Sequence, residues 1–181
     1  MVRTMAFFIF FSSYGYSMPH PGNSLALSQP QLGSIFSGMG FKIKNFPSDW
    51  TTTEIAHNSN SQQIDLVKTV TTNQSQPRIS FKLDTISKQA DLNLYLKKYI
   101  KDYNQYGLEV SNIQTRKGSV ANLDNISIDI TSKNKKARSR QYFLKNNEKI
   151  VIASCSSDFE ELEATLVDCE KVIENFQWTQ I

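Results

Sequence analysis

The sequence predicts an α+β fold, a mainly antiparallel sheet of about six to seven strands with two long helices packed on it in an α-β-α sandwich. Three observations carry this. Short alternations of apolar and polar residues recur along the chain, joined by links of hairpin length. Two longer stretches, Leu92 to Tyr106 and Phe159 to Phe176, carry apolar residues at helical spacing instead. The order is strands, helix, strands, helix, which lacks the regular strand–helix alternation of a parallel sheet.

The chain begins MVRTMAFFIFFSSYGYS. Arg3 supplies a positive start, Met5 to Phe11 an apolar run, and Gly15 and Ser17 the small residues of a cleavage site. Residues 1–17 therefore resemble a secretory signal, and the run is far shorter than the roughly 20 residues that span a bilayer. No cysteine follows the cleavage site, so a lipid anchor is not expected. Residues 18–39 mix Pro, Gly and Ser without a clear period and are expected to form a flexible tail. A single α+β domain is then expected over 40–181. Hydrophobic residues make up 39% of the 181 and charged ones 20%, which excludes wholesale disorder. Arg3 is the only charge in residues 1–17, so their removal lowers the formal charge from +3 to +2. Such a balance does not point to nucleic acid.

Phe41 and Ile43 alternate with Lys42 and Lys44, a strand stopped by Pro47. Ile64 to Thr71 and Ile79 to Leu83 read as two more strands, with the polar stretch TNQSQP as their hairpin link. Asp91 is placed to cap a helix whose stripe is Leu92, Leu96, Tyr99, Tyr103 and Tyr106, and Gly107 to end it. Tyrosines at this spacing read as core residues with hydroxyls at the rim. Four strands follow: Leu108 to Thr115, Leu123 to Thr131, Arg138 to Lys145 and Lys149 to Cys155. Ile126, Ile128 and Ile130 alternate with Ser127, Asp129 and Thr131, as in a sheet with one packed face. Asn146-Asn147 signals a tight turn. Asp158 with Glu161 has the spacing of a capping box for a last helix. Its stripe is Phe159, Leu162, Leu166, Cys169, Ile173 and Phe176.

The stretch GFKIKNFPSDW resembles the opening strand and Pro-x-x-Trp turn of PsbP-like proteins. The ending RQYFLKNNEKIVIASCSSDFEELEATLVDCEKVIENFQW is similar to their final hairpin and helix, including the closing Phe-x-Trp. The resemblance covers about residues 39–178, and the wider group includes DcrB-like envelope proteins. It implies an α-β-α sandwich around an antiparallel sheet and an accessory or binding role. It supplies no catalytic residues to carry over.

The residues themselves point the same way. The two histidines are His20 in the tail and His57 in the polar segment TTTEIAHNSNSQQ, neither where a core would hold an imidazole against a nucleophile. Zinc ligand spacings, a P-loop and a G-x-G-x-x-G are all lacking. Asp124, Asp129 and the Glu160 to Glu163 cluster read as exposed strand and helix-start charges. The expectation is a non-catalytic exported module, periplasmic or secreted. It would be a monomer without cofactor, metal or transmembrane helix, with an unspecified protein or small ligand as partner and no sequence-specific nucleic acid. Lys133, Lys135, Lys136, Arg138 and Arg140 form a basic hairpin that could meet phosphates, anionic lipid or an acidic partner. A solvated sheet edge explains the same residues, and no aromatic residues interleave with them.

Cys155 and Cys169 are the only cysteines. Export and an even count favour a disulfide. A helix starting at Asp158 would instead put Cys169 about 16 Å along its axis, while a bridge needs Cα atoms within about 7 Å. A bridge requires residues 156–161 to form a loop, or a steep crossing; otherwise two buried thiols remain. A thiol redox role is the alternative function, although catalytic dithiols usually sit in C-x-x-C motifs at a helix start.

Overall fold

The computed structural model describes residues 29–58, 61–69, 77–120, 123–134, 137–158 and 161–179. The large sheet has seven strands: β2 (Trp50–Asn58), β3 (Ser61–Lys68), β4 (Arg78–Thr85), β5 (Leu108–Val120), β6 (Leu123–Ser132), β7 (Ala137–Asn146) and β8 (Lys149–Asp158). They lie in the order β2-β3-β4-β8-β7-β6-β5, and every neighbouring pair is antiparallel. A second sheet pairs β1 (Phe41–Ile43) with β9 (Phe176–Trp178). The helices are α1 (Gln29–Gly38), α2 (Leu92–Gln105) and α3 (Leu162–Glu174). The α+β architecture is the one expected.

The strands divide their side chains between two cores. On one face Ile64, Leu66, Ile79, Phe81, Val151 and Ala153 pack beneath α1, α3 and the small sheet. On the other, Ile126, Ile128, Ile130, Phe143, Ile150 and Ile152 pack beneath α2. Strand β8 supplies both cores with successive residues, which explains its continuous apolar run.

Helix α2 follows its sequence signals. The Asp91 carboxylate accepts from the Asn93 N–H at 2.8 Å, and Gly107 takes φ +76° just beyond the end. Leu92, Leu96, Tyr99 and Tyr103 are buried, but Tyr106 is 61% exposed because the helix has already ended at Gln105. The Asn146-Asn147 turn is also as expected, with Asn147 at φ +52° and Asn146 paired with Lys149.

Three expectations need correction. Residues 29–39 of the supposed tail are a helix and its end, with Leu32, Phe36 and Met39 in the core; residues 18–28 lie outside those described. Pro30 sits in the first turn, where its missing N–H costs nothing, and Gly40 at φ +87° turns the chain into β1. His57 belongs to a strand, β2, opposite Gln62. The last helix starts late: Asp158 still pairs with Ala137 on β8, Glu161 makes no side-chain cap bond, and the capping box does not form. Phe159 and the TNQSQP link except Pro77 lie outside the described residues. Phe176 leaves the helix stripe for β9, where its ring stacks on Phe41 at 4.9 Å.

The late start brings the cysteines together. Cys155 and Cys169 are fully buried, their Cα atoms are 6.3 Å apart, and they form a disulfide. For a loop of this size the bridge contributes about 3 kcal/mol by restricting the unfolded chain. The double substitution Cys155→Ala with Cys169→Ala is therefore expected to lower stability by about 3 kcal/mol in urea unfolding. In the native protein, mild reductant should leave the mass two hydrogens short until the chain is unfolded. Phe36→Ala should cost about 3–5 kcal/mol. Leu94→Ala, at a residue 67% exposed, should cost under about 0.5 kcal/mol. Equal effects of these two would place α1 outside the core.

Candidate functional site

The expected basic hairpin divides in the fold. Register sets Arg140 opposite Asp129 and Arg138 opposite Thr131, all on the α3 side of the sheet. Arg140 clamps Asp129 with two bonds, Nε to Oδ1 at 2.7 Å and Nη2 to Oδ2 at 3.1 Å, and reaches Glu170 of α3 at 3.5 Å. Arg138 pairs with Glu163 of α3 at 3.0 Å and lies 3.7 Å from Asp129. Lys133 is exposed, and Lys135 and Lys136 lie outside the described residues. The arginines thus face acids of the same chain.

Asp129 and Ser127, read from sequence as a solvent face, are buried, because α3 lies over that side of the sheet. A bulge in β5 helps to satisfy the carboxylate. Between Ser111 and Gln114 the register slips, Asn112 takes φ +50°, and its Nδ2 donates to Asp129 Oδ2 at 3.0 Å. Burial pushes the Asp129 carboxyl up, but the bonds from Arg140 and Asn112 and the nearby guanidinium charges outweigh it and hold the pKa below its usual value. Asp129 in turn raises the pKa of Arg140.

On the opposite face the α2 tyrosines are core residues with bonded hydroxyls. Tyr95 donates to Asp84 at 2.7 Å and Tyr103 to Gln141 at 2.7 Å. Burial pushes the Tyr99 hydroxyl up to about 12. Among the described residues no three His, Cys, Asp or Glu side chains gather to hold a metal, and no helix is long and apolar enough to cross a membrane. His20 and the side chains of His57 and Asp124 lie outside the description.

A cleft that sequence reasoning missed opens beside the β7–β8 turn. The β7–β8 turn, β1, β9 and the loop after β4 meet there, bringing Gly40, Lys88, Glu148, Lys149 and Trp178 around a space of about 530 Å³. The Asn-Asn turn and the Phe-x-Trp ending were each visible in the sequence, but nothing there joined them.

No family model matches the chain, and no curated protein does either. Solved structures do. A Pseudomonas aeruginosa protein of unknown function matches with a TM-score of 0.59 at 8% identity, over 72% of this chain and 99% of that one. Cyanobacterial PsbP (CyanoP) from Synechocystis matches with a TM-score of 0.57 at 12% identity, over 90% and 97%. LpqN, involved in cell envelope biogenesis of Mycobacterium tuberculosis, matches with a TM-score of 0.58 at 13% identity, over 77% and 83%. The chain has a PsbP-like fold, and at these identities the likeness is one of fold alone.

A shared fold assigns no chemistry, so the Asp129 cluster rests on its own charges. Because its folded pKa lies below 3.8, Asp129 contributes stability above pH 3.8 and loses that contribution as pH falls through the folded value. Asp129→Asn leaves the arginines facing a neutral amide and should cost about 3 kcal/mol at pH 7. Urea midpoints compared across pH should show this gap narrowing below pH 3.8. A gap constant with pH would remove the charge argument.

Proposed function

We propose that this chain is a non-catalytic exported accessory module, acting as a monomer that binds a protein or small ligand in the cell envelope. The observation that carries the reading is a buried Cys155–Cys169 disulfide within a PsbP-like fold. Disulfides persist in oxidising compartments, and the first 17 residues carry the features of an export signal. The same fold occurs in LpqN, a protein involved in cell envelope biogenesis.

The state of the ionisable groups supports a binding role over a catalytic one. Asp129 is held ionised by fixed partners, and the buried tyrosines are pushed further from neutrality. A general acid or base works best with a pKa near the operating pH. The cysteines support a structural role over redox exchange. Exchange requires a thiolate to reach a sulfur, and both sulfurs belong to fully buried residues.

The test uses the full chain with a C-terminal tag, expressed in a bacterium with an envelope and then fractionated. The expected product lies in the periplasmic or secreted fraction, starts near residue 18 and is two hydrogens lighter than its reduced mass. A cytoplasmic product with residues 1–17 intact and free thiols would overturn the reading.

A further inference from the structure

The cleft beside the β7–β8 turn combines three features that suit a ligand. Its volume, about 530 Å³, lies in the range of small-molecule sites and is far too large for a simple ion. Its charge is unbalanced: Lys88 and Lys149 face one acid, Glu148, and none of the three makes an ion pair among the described residues. One wall is Trp178, whose ring stands edge-on to Phe176 at 5.3 Å.

Lys149 is the informative residue. Four other half-buried cations have partners: Lys68 has Asp49 and Asp168, Arg138 and Arg140 have acids, and Lys145 donates to the carbonyls of Lys88 and Ala90. Lys82 on β4 has no acid among the described residues but lies outside the cleft. Lys149 is half-buried too, yet no acid answers it among the described residues. Taking an ammonium partly out of water without a counter-charge is unfavourable. The chain nevertheless makes room for it. A Cβ on Gly40 would stand 3.0 Å from the Lys149 nitrogen, and Gly40 at φ +87° has none. The Trp178 indole N–H is also buried with no acceptor among the described residues, a second donor without a partner.

We propose that this cleft binds a small organic anion, with the ammonium groups of Lys149 and Lys88 on its carboxylate or phosphate and the Trp178 indole against its carbon skeleton. Two ammonium groups and one carboxylate leave a net positive site, which selects an anion. The aromatic wall selects an apolar or planar body over inorganic ions. This rests on the binding role proposed above and supplies its ligand class.

The experiment is an NMR titration of the intact, oxidised protein, following the indole N–H signals. The chain has two tryptophans, and Trp50 is buried in the core, so it serves as an internal control. Benzoate and phenyl phosphate are the two anionic probes, and benzamide is the neutral counterpart. A saturable shift of the Trp178 signal is expected with one or both anions, naming the carboxylate or phosphate arm. Benzamide should leave that signal still. Lys149→Gln should weaken binding at least about tenfold, the loss of one charge-assisted contact, while its amide spectrum stays that of the folded protein. Lys101→Gln, at an exposed lysine of α2 that does not line the cleft, should change nothing. No saturable shift with either anion at millimolar concentration, or equal weakening by the two lysine substitutions, overturns the proposal. Export is measured separately, so a cytoplasmic product would remove the envelope reading and leave a positive titration standing.

Discussion

Strand β8 sits in the middle of the sheet, and Ile150, Val151, Ile152 and Ala153 are all buried, alternately on its two faces. A strand of this kind needs a cover on each side, and the rest of the fold follows from supplying both. Helix α2 is cover enough for one face. The other requires α1, α3 and the β1–β9 pair together, because no single element spans it. Phe36, Phe41, Phe81 and Phe176 are the common surface on which these pieces meet, with ring centroids 4.9 to 5.6 Å apart for the pairs in contact. Apolar area removed from water holds that side together, and aromatic geometry adds about 1 kcal/mol per pair.

Helix α3 is fixed by more than area. The disulfide ties it to β8, Lys68 of β3 bonds Asp168 at 2.5 Å, and Arg138 and Arg140 of β7 reach Glu163 and Glu170. These attachments differ in kind. The bridge acts on the unfolded chain and is indifferent to pH. The exposed ends of the ion pairs contribute little, since Glu163 is 71% exposed at its side chain. Asp129 is different, because its carboxylate is nearly inaccessible and bound on both oxygens. A buried pair adds little net stability against an apolar alternative, but one partner left alone is costly. The cluster therefore constrains how α3 and β5 sit on the sheet more than it stabilises them. The bulge that aims Asn112 at Asp129 is part of the same constraint.

The parts of the fold written locally were legible in the sequence. Helix α2 has a clean period, an Asp at its start and a Gly just past its end. The β7–β8 hairpin has an Asn, Asn147, where positive φ is needed. Helix α1 was not legible, because Pro30, Gly33 and Gly38 mask the spacing of Leu32, Phe36 and Met39; burial of those three outweighs the roughly 1 kcal/mol each glycine costs. The start of α3 was misplaced because an acid three residues before another acid can be a cap or a strand end. Pairing with Ala137 across the sheet decided for the strand. The site was the least legible part. Arg138 and Arg140 are visible as charges, but their partners at 129, 163 and 170 follow from register and from where α3 lies.

The cleft shows the same dependence at longer range. Gly40, Lys88, Lys149 and Trp178 come from four separate segments, and no pair of them is close in the chain. What gathers them is the closure of the core beneath α1, α3 and the small sheet. Phe41 pairs with Trp178 across the small sheet, and Thr179 donates its N–H to the Gly40 carbonyl at 3.0 Å. The tight turn at Asn147 then brings Lys149 under that sheet, against the face of Gly40 that lacks a Cβ. The ammonium is therefore placed by backbone that has another reason to be there: α1, β1 and β9 must lie where they do to cover β8. A glycine at φ +87° ends α1 and opens the space in one residue. Binding chemistry located at such a junction can change by substitution of its rim without disturbing the sheet, and a fold shared at 8–13% identity gives wide room for that.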